Sequence, residues 1–248
     1  MPLWDRIRRS QVWKSIFRHP PPVDRPNRVK VVLTNLILHL HPVAMPKHGL
    51  RLRFTWCMGG ITFFLFLVEV VTGVLLMFYY RPTIQWAYHD MLALRDVVSY
   101  GILREVHRWG AHAMVITAML HMLRVFLTGS YKPPREFNWV IGVLLLALTL
   151  LLSFTGYLLP WDQLSMWAVT VGSNMVGAAP LVGHEGPASW VTDQSDLRYV
   201  LLGARSVGEE ALLRFYVLHC VALPLLAAFL MALHFWRIRK DGGISGPL

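Results

Sequence analysis

The stretch Glu105–Gly129, EVHRWGAHAMVITAMLHMLRVFLTG, decides the fold. It is long and apolar enough to cross a bilayer, yet it carries His107 and His121 fourteen residues apart. At about 100° per residue, fourteen steps fall roughly 40° short of whole turns, so both imidazoles sit on nearly one helix face. A rise of about 1.5 Å per residue separates them by roughly 21 Å, one toward each boundary of a hydrocarbon core about 30 Å thick.

A second apolar stretch repeats the arrangement. In Ala211–Trp236, ALLRFYVLHCVALPLLAAFLMALHFW, His219 and His234 are fifteen apart, within about 60° of one face. Two spans, each with two same-face histidines at matching depth, can hold two stacked metal macrocycles. Imidazole ligates a metal only when neutral, and a bilayer interior favours that form. Four unrelated packing or proton-relay histidines would not need matched intervals.

Composition agrees with a membrane protein. The 248 residues are 55% hydrophobic with a mean hydropathy of +0.45, which reads as one all-α membrane bundle. Cys57 and Cys220 both lie in apolar stretches and offer no disulfide framework. No CxxCH motif is present. The net charge of +10 does not point to nucleic acid, because eleven of the 24 Lys and Arg fall in residues 1–53. That is the positive-inside pattern and assigns the N-terminus to the cytoplasm.

Residues 1–53 lack the apolar core of a signal peptide. Trp4, Ile7, Trp13, Ile16 and Phe17 alternate with Arg6, Arg8, Arg9, Lys14 and Arg18, and Val29–Leu40 is apolar but too short to span. Both segments are expected as helices lying at the interface, with His39, His41 and His48 as ordinary interfacial residues. Four spans are expected, over residues 54–80, 105–129, 138–159 and 211–236, with Pro224 as a kink in the last. The division is therefore a basic interfacial segment (1–53), a four-helix haem-binding domain (54–236) and a cytoplasmic tail (237–248).

Glycines echo the histidines. Gly59 and Gly73 in the first span, and Gly142 and Gly156 in the third, are each fourteen apart. Small residues let a helix or a flat macrocycle approach the backbone, so glycines opposite histidines make room for two porphyrins. Glu69, inside the first span, is costly unless paired or facing the interior, and is a functional candidate. Residues 160–210 form a long connector, which suggests function, and PWDQLSMWAVTVGSNM at its start suits a surface helix. Spans two and four run the same way, so His107 should pair with His219 and His121 with His234. Two axial imidazoles leave each iron no open position, which is the chemistry of electron transfer. Arg108 and Arg124 lie close enough to neutralise haem propionates, or simply snorkel to the interface.

The strings WCMGGIT, FYYRPT, VHRW, LTGSYKPPREFNWV, TGYLLPWDQ, RFYVLH and ISGPL carry a resemblance. Over roughly residues 46–248 the chain resembles the cytochrome b6 family, the short-form cytochrome b of quinol–cytochrome c or plastocyanin oxidoreductases. The resemblance implies two haem b groups, that of His107 and His219 nearer the quinol-oxidising side and that of His121 and His234 nearer the quinone-reducing side. It implies a third haem bound by one thioether to Cys57. It also implies that Arg239 lines the second quinone site, and that residues 156–175, with Trp161, Asp162 and Ala168, wall the oxidising site. Ala168 stands where many mitochondrial relatives have glycine, so inhibitors needing that gap should bind poorly.

Implied partners are a subunit IV-like C-terminal half, a Rieske iron–sulfur protein, a cytochrome c-type acceptor, quinone and lipid, in a homodimeric complex without nucleic acid. The longer basic N-terminus and the WVTDQSDLRYV insertion point to a bacterial plasma-membrane respiratory enzyme rather than a thylakoid one. The PEWY-type motif is absent, as in split systems. The competing readings are a haem-b membrane anchor of a respiratory dehydrogenase, which leaves Cys57, PWDQ and the glycine pairs unexplained, and a non-redox transporter subunit with a histidine relay.

Overall fold

The computed structural model describes residues 3–17, 23–33, 47, 55–241 and 243. His39, His41, His48, the end of the Val29–Leu40 segment and the ISGPL string lie outside them. No strand occurs among the described residues, and four helices are long and apolar enough to cross a membrane. The basic leader forms α1 (Leu3–Arg9), α2 (Gln11–Ile16) and α3 (Arg25–Leu33). The first span is α4 (Met58–Met77), followed by the connector helix α5 (Ala87–Asp96). The second span is α6 (Ile102–Leu127), entered through a 3-10 turn at Val98–Gly101, and the third is α7 (Glu136–Leu158).

The connector after α7 folds into α8 (Gln163–Gly177) and α9 (Leu197–Leu202). Both start on an aspartate. Asp162 accepts from the Ser165 N–H and Asp196 from the Arg198 N–H, satisfying donors that a helix start leaves open. The α8 helix takes up the expected PWDQLSMWAVTVGSNM segment from Gln163 onward, with Pro160–Asp162 leading into it, and buries Ser165, Val169, Ser173 and Gly177 along one stripe.

The fourth span runs from Glu209 to Lys240 but is not one regular helix. It comprises α10 (Glu209–Val217), a π-helical turn at Leu218–Ala222 and α11 (Leu223–Lys240). Pro224 has no N–H to give, and the distortion falls one turn before it, with the Leu223 N–H bonded to Leu218 O. The break thus appears as a widened turn that includes His219. The helix also continues past Trp236, so Arg237, Arg239 and Lys240 are helical.

Two compact units are present: Met1–Phe63 with Met114–Leu148 and Leu226–Leu248, and Phe64–Ala113 with Thr149–Leu225. In the second, Tyr80, Ala87, Leu94, Leu158, Trp161, Val169, Leu202 and Phe215 belong to one buried apolar cluster. Tyr80 donates its hydroxyl to Leu159 O at 2.6 Å inside it. In the first unit, α2 docks through polar contacts. Ser15 Oγ accepts from the Phe137 N–H, Gln11 donates to Glu136, and Arg237, fully buried, donates to the carbonyls of Ser15 and Ile16. A cation at those carbonyls meets the negative end of the α2 dipole. Phe64, Val71, Leu123 and Leu151 stay exposed on the spans, the surface a lipid environment would cover.

Candidate functional site

The second unit brings His107 and His219 together, with ring centroids 6.2 Å apart and planes at 82°. The first unit does the same for His121 and His234, at 6.4 Å and 80°. Two imidazoles on opposite sides of one metal, at nitrogen–metal lengths of about 2.0–2.1 Å, have centroids roughly 6.3 Å apart. Each pair therefore has the spacing of two axial ligands on one metal.

The four glycines face these rings directly. A Cβ on Gly59 would lie 3.2 Å from His121 Cε1, and one on Gly73 would lie 3.3 Å from His107 Cε1. For Gly156 the distance to His219 Cε1 is 2.6 Å, and for Gly142 that to His234 Cε1 is 3.8 Å. Gly59, Gly73 and Gly156 each admit an imidazole edge close against helix backbone, whereas Gly142 lies nearest Met122 Sδ at 3.5 Å and meets His234 at ordinary contact distance. Gly60, beside Gly59, has nothing within 4 Å of its Cβ position.

Hydrogen bonds fix the tautomer in the second unit. Thr72 Oγ1 donates to Val68 O at 2.7 Å, so its 2.8 Å contact with His107 Nδ1 leaves the imidazole as donor. Glu69 Oε2 lies 3.0 Å from the same nitrogen. His219 Nδ1 faces Leu152 O at 3.1 Å and Thr155 Oγ1 at 3.2 Å, and a carbonyl can only accept. Both rings thus carry their proton on Nδ1 and present a bare Nε2. Sequence reasoning missed Thr72 and Thr155, although a signal exists: each immediately precedes a ring-facing glycine, as Thr72-Gly73 and Thr155-Gly156. In the first unit the buried His234 ring has the Asn138 backbone as its neighbour, without a close side-chain acceptor of the Thr72 kind among the described residues.

The other expected residues are placed less uniformly. Arg108 is held by Glu105 at 2.6 Å and lies 4.9 Å from the Trp109 ring, whereas Arg124 is half-buried one turn beyond His121. Cys57 is exposed, with φ 49°, immediately before α4. Arg239 is buried near the end of α11. Trp161 and Asp162 line a cavity of about 580 Å³ in the second unit with Ile84, Tyr88, Gln163, Leu164, Met166 and Val207. Ala168 does not line it and packs against the apolar cluster instead. Trp161 is buried at φ 51°, a strained setting for an aromatic residue, so packing fixes where its ring points. The Asp162 carboxylate is engaged by Ser165, whose hydroxyl donates to it at 2.7 Å.

Outside the spans, the Arg81 guanidinium grips Asp90 through Nη2–Oδ1 at 2.6 Å and Nε–Oδ2 at 3.0 Å. This holds the Asp90 carboxyl below the usual carboxylate range.

The chain has relatives among known proteins. The chain is similar to a solved chain described as "Hyperthermophilic respiratory Complex III", at 25% identity and a TM-score of 0.68. The match covers 89% of this chain and 54% of the other, so the present chain spans about half of that relative's length. Residues 43–242 match the family model described as cytochrome b/b6/petB, and with four fifths of its length so matched the chain belongs to the cytochrome b/b6/petB family.

Proposed function

We propose that the chain is the cytochrome b subunit of a quinol:cytochrome c oxidoreductase, or of one with a plastocyanin-like acceptor. The observation that carries this reading is the pair of histidine couples at 6.2 and 6.4 Å, each ring backed by a glycine. His107 with His219, and His121 with His234, would ligate two haem b groups through Nε2. Bound there, the haems would supply one-electron redox chemistry and carry electrons across the membrane between a quinol-oxidising and a quinone-reducing site, coupled to proton translocation. Four histidines used in this way would leave the haems to electron transfer, and the protein's share would be ligation, spacing and a dry surrounding.

Arg124, half-buried beside His121, and Arg108, held by Glu105, would be the cations nearest an anionic propionate. Cys57 would bind a third haem by one thioether, and its exposure suits a thiol that must reach a vinyl group. The cavity at Trp161 and Asp162 has the volume of a small-molecule site and is the candidate quinol pocket. Asp162 would shape it through the helix cap rather than through a free carboxylate, and Ala168 would act from behind the wall. Arg239 would serve the second quinone site. The partners would be a subunit IV-like half, a Rieske protein and a cytochrome c-type acceptor, in a homodimeric complex of a bacterial plasma membrane with both termini cytoplasmic.

A reduced-minus-oxidised spectrum of the purified chain, with a haem stain of the denatured band, tests this. Two b-type components are expected, with a stained band that Cys57→Ser abolishes. A single b-type component, or none, would overturn the dihaem reading. A band without stain, or one still stained in Cys57→Ser, would overturn the thioether.

A further inference from the structure

Helix α2 lies far along the chain from the two spans it touches, and each contact completes a helix end. Arg237, fully buried on α11, donates from Nη2 to Ser15 O at 2.5 Å and from Nη1 to Ile16 O at 3.1 Å. Those carbonyls belong to the last turn of α2, where a helix leaves its acceptors open. In return Ser15 Oγ accepts from the Phe137 N–H at 3.1 Å, a first-turn donor that α7 leaves open in the same way. Gln11 Nε2 adds a bond to Glu136 Oε1 at 2.6 Å. With only six residues α2 is too short to be stable alone, so these bonds fix it as a bridge between α7 and α11.

The bridged residues adjoin His234. Arg237 follows it by three residues on α11. On α7 the Asn138 backbone, next after Phe137, neighbours the ring, and a Cβ on Gly142, one turn further, would lie 3.8 Å from its Cε1. His107 and His219 are each held by hydrogen bonds to the helix they face. The His234 ring has the loosest glycine contact of the four and no close side-chain acceptor of the Thr72 kind among the described residues. Its seat is therefore set by how far the first turns of α7 stand from α11, and α2 spans that distance.

We propose that α2 is a clasp across α7 and α11 that positions His234 and closes that end of the His121 and His234 site to water. This rests on the haem reading above. Water favours the more highly charged, oxidised metal, and a dry shell favours the reduced one. The clasp therefore holds that site at a higher reduction potential than it would have without α2, by packing and with no change of ligand. Ser15 is the positioning residue through which α2 reaches α7.

The test is a potentiometric titration of the visible α-bands in the membrane-embedded complex, with low-temperature electron paramagnetic resonance of the oxidised haems. The component lost in His234→Leu identifies the site. Deleting residues 2–17 is expected to lower the midpoint potential of that component and move its resonance, leaving the other component unmoved. Ser15→Ala removes only the side-chain contact with α7 and should shift the same component in the same direction by less. Ser15→Thr keeps the hydroxyl and should superimpose on the parent curve. Ser15→Ala also provides the test if the deleted chain does not assemble. A strap that serves stability alone would lower the melting temperature with both midpoints unmoved. That result, or equal shifts or equal losses of the two components, would overturn the inference. A parent complex lacking two b-type components would instead overturn the haem reading beneath it.

Discussion

The two histidine pairs share one geometry and differ in what stands behind them. Their centroid separations, 6.2 and 6.4 Å, and their ring angles, 82° and 80°, are nearly the same. Around His107 and His219, however, Nδ1 faces Thr72, Glu69, Thr155 and Leu152 O, whereas His234 has the Asn138 backbone as its neighbour. The first unit places its polar groups elsewhere, where buried Arg237 is met by the carbonyls of α2 and by Asp241 at 3.4 Å. The repeated spacing thus fixes where the rings sit, and the unrepeated neighbours set how each ring behaves.

The largest expected effect breaks the comparison outright. In His234→Leu, one b-type component should vanish from the difference spectrum while the His107 and His219 component persists. Loss of neither would refute the pairing.

Next in size is Arg237→Ala, which leaves Asp241 and two α2 carbonyls facing a buried gap. Removing one partner of a buried pair costs about 3–5 kcal/mol. Thermal denaturation of the solubilised chain should show that loss together with faster proteolysis of residues 1–17. An unchanged cleavage rate would mean that Arg237 does not hold α2.

The glycines sharpen the comparison by a graded series. Gly156→Ala forces a 2.6 Å contact with His219 and should cost about 1–3 kcal/mol by overpacking, with reduced occupancy of that haem. Gly142→Ala meets His234 only at 3.8 Å, an ordinary contact, and should leave its component intact. Equal haem loss in both variants would contradict the glycine reading.

The smallest effect concerns Asp90 and Arg81. Because the folded-state carboxyl titrates below its unfolded value, the pair stabilises above about pH 4 and loses that contribution as the pH falls further. Asp90→Asn should melt slightly lower than the parent at neutral pH. The two melting curves should converge on acidification, and a gap that widens instead would show the sign to be wrong.

Much of the fold is legible in the amino-acid sequence. Helical periodicity and span length identify four spans, and each expected span overlaps an observed one, with shifts where caps and flanking residues intervene. The first span starts at Met58, leaving Cys57 outside it, and the last runs to Lys240. The π turn at Leu218–Ala222 is not legible, because Pro224 announces a break without saying how the neighbouring carbonyls will be satisfied. Glu69 stands out as an expensive charge, yet nothing in its own helix names His107 as its partner. The helix-capping role of Asp162 is hidden too, since an N-cap and a site residue look alike in a string of letters.

By itself the sequence determined four apolar stretches of spanning length and the helix face and axial spacing of each histidine pair, because helix pitch is a fixed length against which fourteen- and fifteen-residue intervals can be measured. Only the tertiary structure decided that glycines meet imidazole edges and that Thr72 and Thr155 hold the protons. The reason is physical. Periodicity gives a residue's direction from its own helix axis, whereas a hydrogen bond depends on a few tenths of an ångström between two helices, set by the packing of every side chain between them.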